Sequence, residues 1–166
     1  MTIEIIDDFL NEQEYKALHD LVISYSFPWF FAEHKVHEGD GILNLQHIFY
    51  GGVNTVSPFF YLLEPFAKKL KVIAPILIKA NCTFGQPNKI QTNFHIDGST
   101  LNTTNRKSAI FYLSDTNGQT VFKDKKEEVE CKQNRLIVFD SYHLHAAVLH
   151  KGESTSKRIV LNFNYF

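Results

Sequence analysis

Hydrophobic positions along the chain change period near residue 75. Before that point they recur every three or four residues. Tyr15, Leu18, Leu21, Val22 and Tyr25 form one stripe behind Asn11, a helix-capping residue followed by Glu12 and Glu14, and predict an amphipathic helix over 11–26. Leu62, Leu63, Phe66 and Leu70 form a second stripe, opened by Ser57-Pro58 and closed by Lys68, Lys69 and Lys71, which predicts a helix over 58–72. Residues 27–56 mix aromatics with Gly and Asn without a sustained period. They read as irregular loop with room for one short strand, and as a candidate wall or lid for a site.

From Pro75 onward the pattern becomes short β-rich runs: ILIKANCTF, IQTNFHI, SAIFYLS, TVFKD, EEVEC, RLIVFD, AAVLH and RIVLNFNYF, punctuated by GQPN, NTTN, DTNGQ, KQN and KGESTS. Short strands with turn signals and no helical pattern among them imply an antiparallel sandwich or barrel rather than alternating parallel units. The expectation is a mainly β (α+β) jelly roll over 75–166, with a helical part over 1–74 contributing two helices packed outside. A length of 166 residues fits one domain with one real core.

Composition narrows the class. With 44% hydrophobic and 14% aromatic residues the chain is globular rather than disordered, and 17 basic against 18 acidic residues give no field to attract a polyanion, so no nucleic-acid partner is expected. The N-terminus MTIEIIDDFL lacks a signal-peptide pattern and no apolar run reaches membrane-spanning length, so the expected location is cytoplasmic, without a membrane partner. Cys82 and Cys131 have no zinc or redox spacing and read as reduced, buried thiols. Oligomeric state leaves no readable sign.

Chemistry concentrates in FHIDG. His95 and Asp97 are two apart, and on a strand such side chains leave the same face, so an imidazole and a carboxylate can share one ion. Alone the motif is weak: a chance His-x-Asp is expected in about a third of chains this rich in histidine. A second cluster, His143, His145 and His150, follows the strand RLIVFD, from which one imidazole can complete a two-histidine, one-carboxylate set. Such a set leaves adjacent metal positions open, as non-haem iron(II) oxygenases require, whereas a structural zinc site takes four protein ligands. In RIVLNFNYF, Arg158, Val160, Asn162 and Asn164 share one face, and Ile159, Leu161, Phe163 and Tyr165 the other. If the apolar face packs on helices, Arg158 points into the barrel, where a guanidinium needs an anion; a dicarboxylate is a natural partner. The plain alternative is an Arg158 at the strand start reaching solvent beside Glu153.

In FHIDG, AIFYLSDTNGQTVF, NRLIVFDSYHLHAAV and KRIVLNFNYF, in this order and spacing, the chain resembles the 2-oxoglutarate and iron(II)-dependent oxygenases, specifically the small prolyl 4-hydroxylase-like type of phages and marine bacteria. The resemblance implies a double-stranded β-helix, a cupin-like jelly-roll barrel. It implies that His95, Asp97 and His145 ligate Fe(II), with His143 facing away or in the turn, and that Arg158 binds the distal carboxylate of 2-oxoglutarate. O2 is then the oxidant and succinate and CO2 the products, with ascorbate as an optional reductant, and a small molecule or peptide, a prolyl residue in the first instance, is hydroxylated. Asp97 sets the chain apart from the halogenase branch, where a small residue vacates that position. Relatives often carry a tyrosine where ANCTFGQ has Asn81, Cys82 and Thr83. Asn81, Tyr112, Thr120 and Asn162 are the polar groups expected nearest to 2-oxoglutarate. Trp29, Phe30, Phe31 and Tyr50 are expected as an aromatic substrate wall, and His34, His37 and His47 as surface or supporting groups.

Two other readings compete. A cupin-like jelly roll that binds a metal or small ligand without oxygenase activity would gather three histidines and a glutamate and needs no inward arginine. A non-catalytic β-sandwich interaction module would bind neither metal nor 2-oxoglutarate.

Overall fold

The computed structural model describes residues 2–32, 42–51, 55–97, 105–124 and 127–166. Ahead of Pro75 lie β1 (Glu4–Ile6), α1 (Glu12–Val22), β2 (Phe30–Ala32), β3 (Asn44–Gly51), β4 (Thr55–Val56), a 3₁₀ turn (Phe60–Leu63) and α2 (Glu64–Lys69). Beyond it follow β5 (Pro75–Phe84), β6 (Ile90–Gln91), β7 (Lys107–Tyr112), β8 (Gln119–Phe122), β9 (Glu127–Glu130), β10 (Arg135–Asp140), β11 (His145–Leu149) and β12 (Lys157–Tyr165). Each of the eight expected β runs overlaps one of these strands.

The strands form two antiparallel sheets. The major sheet runs β1-β10-β7-β12-β5-β3-β2, with β4 on β3, and the minor sheet runs β6-β11-β8-β9. This is the mainly β jelly roll expected from the pattern. One difference matters for the site: residues 44–51 are not irregular loop but an eight-residue strand, β3, lying along β5. Its pattern escaped notice because polar Asn44 and Gln46 alternate with a core face that includes His47. The run IQTNFHI is less regular than expected, pairing as a strand only at Ile90–Gln91 and again at a single bridge between His95 and His145.

The helices are shorter than their stripes. In α1 the Asn11 side chain accepts from the Glu14 amide at 2.9 Å while Glu14 accepts from the Asn11 amide at 3.0 Å, a reciprocal cap. It ends at Val22, whose carbonyl takes the Trp29 indole N–H at 3.1 Å in place of a further helical turn. The expected helix over 58–72 is divided, because Pro65 lacks an N–H and its ring clashes with the preceding turn. The α-helix restarts at Glu64 with Pro65 in its first turn.

Two apolar layers fix the sheets. Outside the major sheet, Ile159, Leu161 and Phe163 of β12 pack with Leu18, Val22 and Phe66 of the helices, and Phe66 stacks on Phe163 with ring centroids 4.7 Å apart. Between the sheets, Ile110, Tyr112, Ile137, Phe139 and Val160 meet Phe122, Val129 and Cys131. Cys82 and Cys131 are free and buried. Because the outer face of β12 is clamped by helices, its alternate residues must face inward. Truncating Phe66, which is fully buried, is therefore expected to cost about 3–5 kcal/mol of stability, measured for Phe66→Ala by urea denaturation.

Candidate metal centre

His145 opens β11 and exchanges both backbone hydrogen bonds with His95, at 2.9 and 3.0 Å, so the minor sheet itself sets the two imidazoles side by side. Their ring centroids are 4.5 Å apart. Asp97 sits in the turn just past His95, and its Oδ1 lies 3.8 Å from Nε2 of both His95 and His145. The three donor atoms fall within 4.8 Å of one another. Donors about 2.1 Å from a common ion lie at most about 4.2 Å apart, so small side-chain adjustments bring all three onto one ion. Among the described residues this is the cluster of such groups that the fold brings together.

Two of the donors, His145 and Asp97, are held from behind. His145 Nδ1 donates to the His143 carbonyl at 2.9 Å, which leaves the Nε2 lone pair facing the site. Its ring packs edge-on against Phe139 with centroids 4.8 Å apart. Asp97 Oδ2 accepts from Ser108 Oγ at 2.7 Å. That hydroxyl also lies 2.9 Å from Ser141 Oγ and 3.0 Å from Asn164 Oδ1, but its single proton goes to the charged acceptor. Arg106 Nη2 holds the Asp97 backbone carbonyl.

The other histidines serve different ends. His143 lies in the turn before β11, away from the cluster. The buried His150 is bonded to Ser156 Oγ at 2.9 Å, and its burial lowers its pKa. His47 is not a surface group: only 3% exposed, it donates from Nδ1 to the Pro28 carbonyl and accepts at Nε2 from Ser57, each at 2.8 Å. Burial lowers its pKa, keeping it neutral within the aromatic core of Phe27 and Phe49. His34 and His37 lie outside the described residues.

A cavity of about 270 Å³ runs from the triad to Arg158 between the sheets. Arg158 is 2% exposed and points inward, not to Glu153 and solvent. Among the described residues its Nη2 finds only the Gln119 carbonyl at 3.4 Å and Thr120 Oγ1 at 3.5 Å, and its Nε has no partner. The cross-strand row it occupies is similarly unsatisfied. Arg158 pairs in register with Thr83 and Thr83 with Asn44, and among the described residues Thr83 Oγ1 and Asn44 Oδ1 are also buried without hydrogen bonds. Of these three only the Arg158 guanidinium lines the cavity, a buried cation that an anion could satisfy.

Asn81, Thr120 and Asn162 line this cavity. Tyr112 lies beneath it instead: fully buried, its ring faces the Arg158 guanidinium at 5.7 Å and its hydroxyl donates to Thr120 Oγ1 at 2.7 Å. Burial pushes the Tyr112 hydroxyl up to about 12, so it remains a donor, and the Thr120 proton is left for an acceptor in the cavity. Gly118 completes the cradle, because a Cβ there would stand 3.0 Å from Arg158 Cδ and 2.8 Å from the Val148 carbonyl.

Trp29, Phe30, Phe31 and Tyr50 do not line the cavity. Trp29 terminates α1, Phe30 and Phe31 are exposed, and Tyr50 packs on Phe60 at 6.0 Å. Of the expected lid over 27–56, residues 33–41 and 52–54 lie outside the described residues. The supporting residues missed from sequence were partly readable: alternation puts Ser108 on the face of Tyr112, and Lys79 on that of Asn81 and Thr83.

No protein-family model matches the sequence, and no curated protein sequence matches it either. Solved structures do match its shape. A 2OG-Fe(II) oxygenase-family oxidoreductase from Burkholderia pseudomallei superimposes with a TM-score of 0.73 at 13% identity, over 98% of this chain and 84% of that one. The fold is that of the 2-oxoglutarate oxygenases. A viral collagen prolyl hydroxylase from Paramecium bursaria Chlorella virus-1, solved as its 2-oxoglutarate complex, gives a TM-score of 0.63 at 17% identity over 99% and 95%. A prolyl hydroxylase from Trichoplax adhaerens, solved with a hypoxia inducible factor peptide, gives 0.69 at 15% over 99% and 83%.

The Ser108 hydroxyl supplies a direct check. Ser108→Ala leaves Asp97 Oδ2 without its donor and is expected to weaken iron(II) or manganese(II) binding by roughly 10–100-fold, measured by metal titration, while the thermal melt shows the barrel still folded.

Proposed function

We propose that the chain is an iron(II)- and 2-oxoglutarate-dependent oxygenase that hydroxylates an organic substrate. One observation supports this above the others: a cavity with an open His-Asp-His set at one end and a buried, unsatisfied arginine at the other. Two neutral imidazoles and one carboxylate suit iron(II) and leave adjacent positions for further ligands. The orphaned Nε of Arg158 and the uncommitted Thr120 proton suit the carboxylate of a bound diacid. A cupin-like binder gains no support, since among the described residues no fourth ligand joins the three and the inward arginine has no use in such a site.

Iron(II) with 2-oxoglutarate, when bound, supplies oxygen activation coupled to decarboxylation of the diacid to succinate and CO2. The protein's part is to fix the His145 tautomer through the His143 carbonyl, to orient Asp97 through Ser108, to place His95 by its backbone bonds to His145, and to fix one end of the diacid at Arg158. A prolyl residue of a peptide is the substrate proposed first, because two of the similar structures are prolyl hydroxylases. No helix of the described residues is long and apolar enough to cross a membrane, and a cytoplasmic location is part of the same proposal.

Anaerobic titration with iron(II) and 2-oxoglutarate is expected to give the charge-transfer absorption of a chelated 2-oxo acid in the wild type. Asp97→Ala is expected to lose it, and Arg158→Ala to require far higher 2-oxoglutarate. No band in the wild type would refute the proposal.

A further inference from the structure

Asp97 is the single carboxylate among the described residues lining the cavity, against three cations, Arg158, Arg106 and Lys79. A bound divalent ion and the 2-oxoglutarate dianion cancel each other's charge, so loading the site leaves that excess of two positive charges unchanged. Arg158 is assigned to the diacid, and Arg106 is engaged with the Asp97 carbonyl. Lys79 is the remaining cation, and its amine has no hydrogen-bond partner among the described residues.

Its place in the fold separates Lys79 from the diacid. On the inner face of β5 the residues in order are Thr83, Asn81 and Lys79. Thr83 and Asn81 are buried at 1% and 4% exposure, whereas Lys79 is half-buried, so the face runs from the closed end of the cavity to its mouth. Lys79 pairs with Asn162, four residues along β12 from Arg158, or roughly 13 Å of strand. A five-carbon diacid seated on Arg158 does not span that distance, and what approaches Lys79 comes from outside. Burial lowers the pKa of Lys79 while Asp97 raises it, so holding the ammonium charged here has a cost that an incoming anion would offset.

We infer that Lys79 is a specificity-determining residue that receives a carboxylate of the hydroxylated substrate. The inference rests on the oxygenase reading and deepens it, selecting acids from among the organic substrates that reading allows. The carboxylate belongs either to a free amino or organic acid or to an acidic peptide, and both present the same chemistry to the amine.

The test uses iron(II)- and 2-oxoglutarate-loaded full chain and a panel of free amino acids, Pro-containing dipeptides and Glu-containing pentapeptides, each compared with its amide. Readouts are perturbation of the anaerobic charge-transfer band, which reports binding, and succinate release. In wild type the acids bind at least about 10-fold better than the amides. Lys79→Met keeps the band and its 2-oxoglutarate dependence but loses the preference, and Lys79→Arg retains it. Preference confined to the free acids identifies a small molecule, and preference among the pentapeptides an acidic peptide. A wild type that shows the band but no acid preference overturns the inference and spares the oxygenase reading, as does a preference that survives in Lys79→Met. Loss of 2-oxoglutarate binding in Lys79→Met makes Lys79 a cosubstrate ligand and likewise overturns it. A missing band in wild type defeats the oxygenase reading itself.

Discussion

A guanidinium buried at 2% exposure, with no carboxylate beside it among the described residues, is the constraint around which the interior of this barrel is arranged. An unpaired buried charge costs several kcal/mol, and the fold carries that cost at Arg158 with only two long contacts and the face of Tyr112 for relief. The outer face of β12 explains how the charge is kept there. Ile159, Leu161 and Phe163 are locked under the helices, and a strand held by one face cannot turn the other outward. Hydrophobic packing outside thus forces a polar row inside.

The same logic extends to the metal end. The two imidazoles are brought together by the backbone bonds between His95 and His145, so their spacing is a property of the sheet rather than of flexible side chains. Asp97 is the member not on a strand, and it is tied through both its side chain and its carbonyl, to Ser108 and Arg106. A site made this way loses little entropy on binding an ion, because the ligands are already ordered.

Much of this was legible from residue alternation. The period-2 pattern of RIVLNFNYF separated the helix-facing side from Arg158, and FHIDG with the histidines after RLIVFD contained the three candidate ligands. What escaped depended on pairings between distant segments. The row of Asn44, Thr83 and Arg158 exists only once β3 is known to lie on β5 and β5 on β12. Gly118 looks like an ordinary turn glycine until its approach to the Arg158 side chain is seen. Tyr112 was expected beside the cavity but lies beneath it, since alternation gives the face of a strand and not the depth of the cavity. The break in the second helix was written in Pro65, which the apolar stripe alone concealed.

The central claim is that Arg158 is held in the interior for the distal carboxylate of a diacid. Calorimetric titration of the iron(II)-loaded protein without oxygen, comparing 2-oxoglutarate with 2-oxopentanoate, tests it most directly, since the two share a chain length and a chelating end and differ only in that carboxylate. The account predicts that 2-oxoglutarate binds tighter by roughly 10–100-fold or more, and that the gap closes in Arg158→Met. Equal affinity for the two acids in the wild type would contradict it.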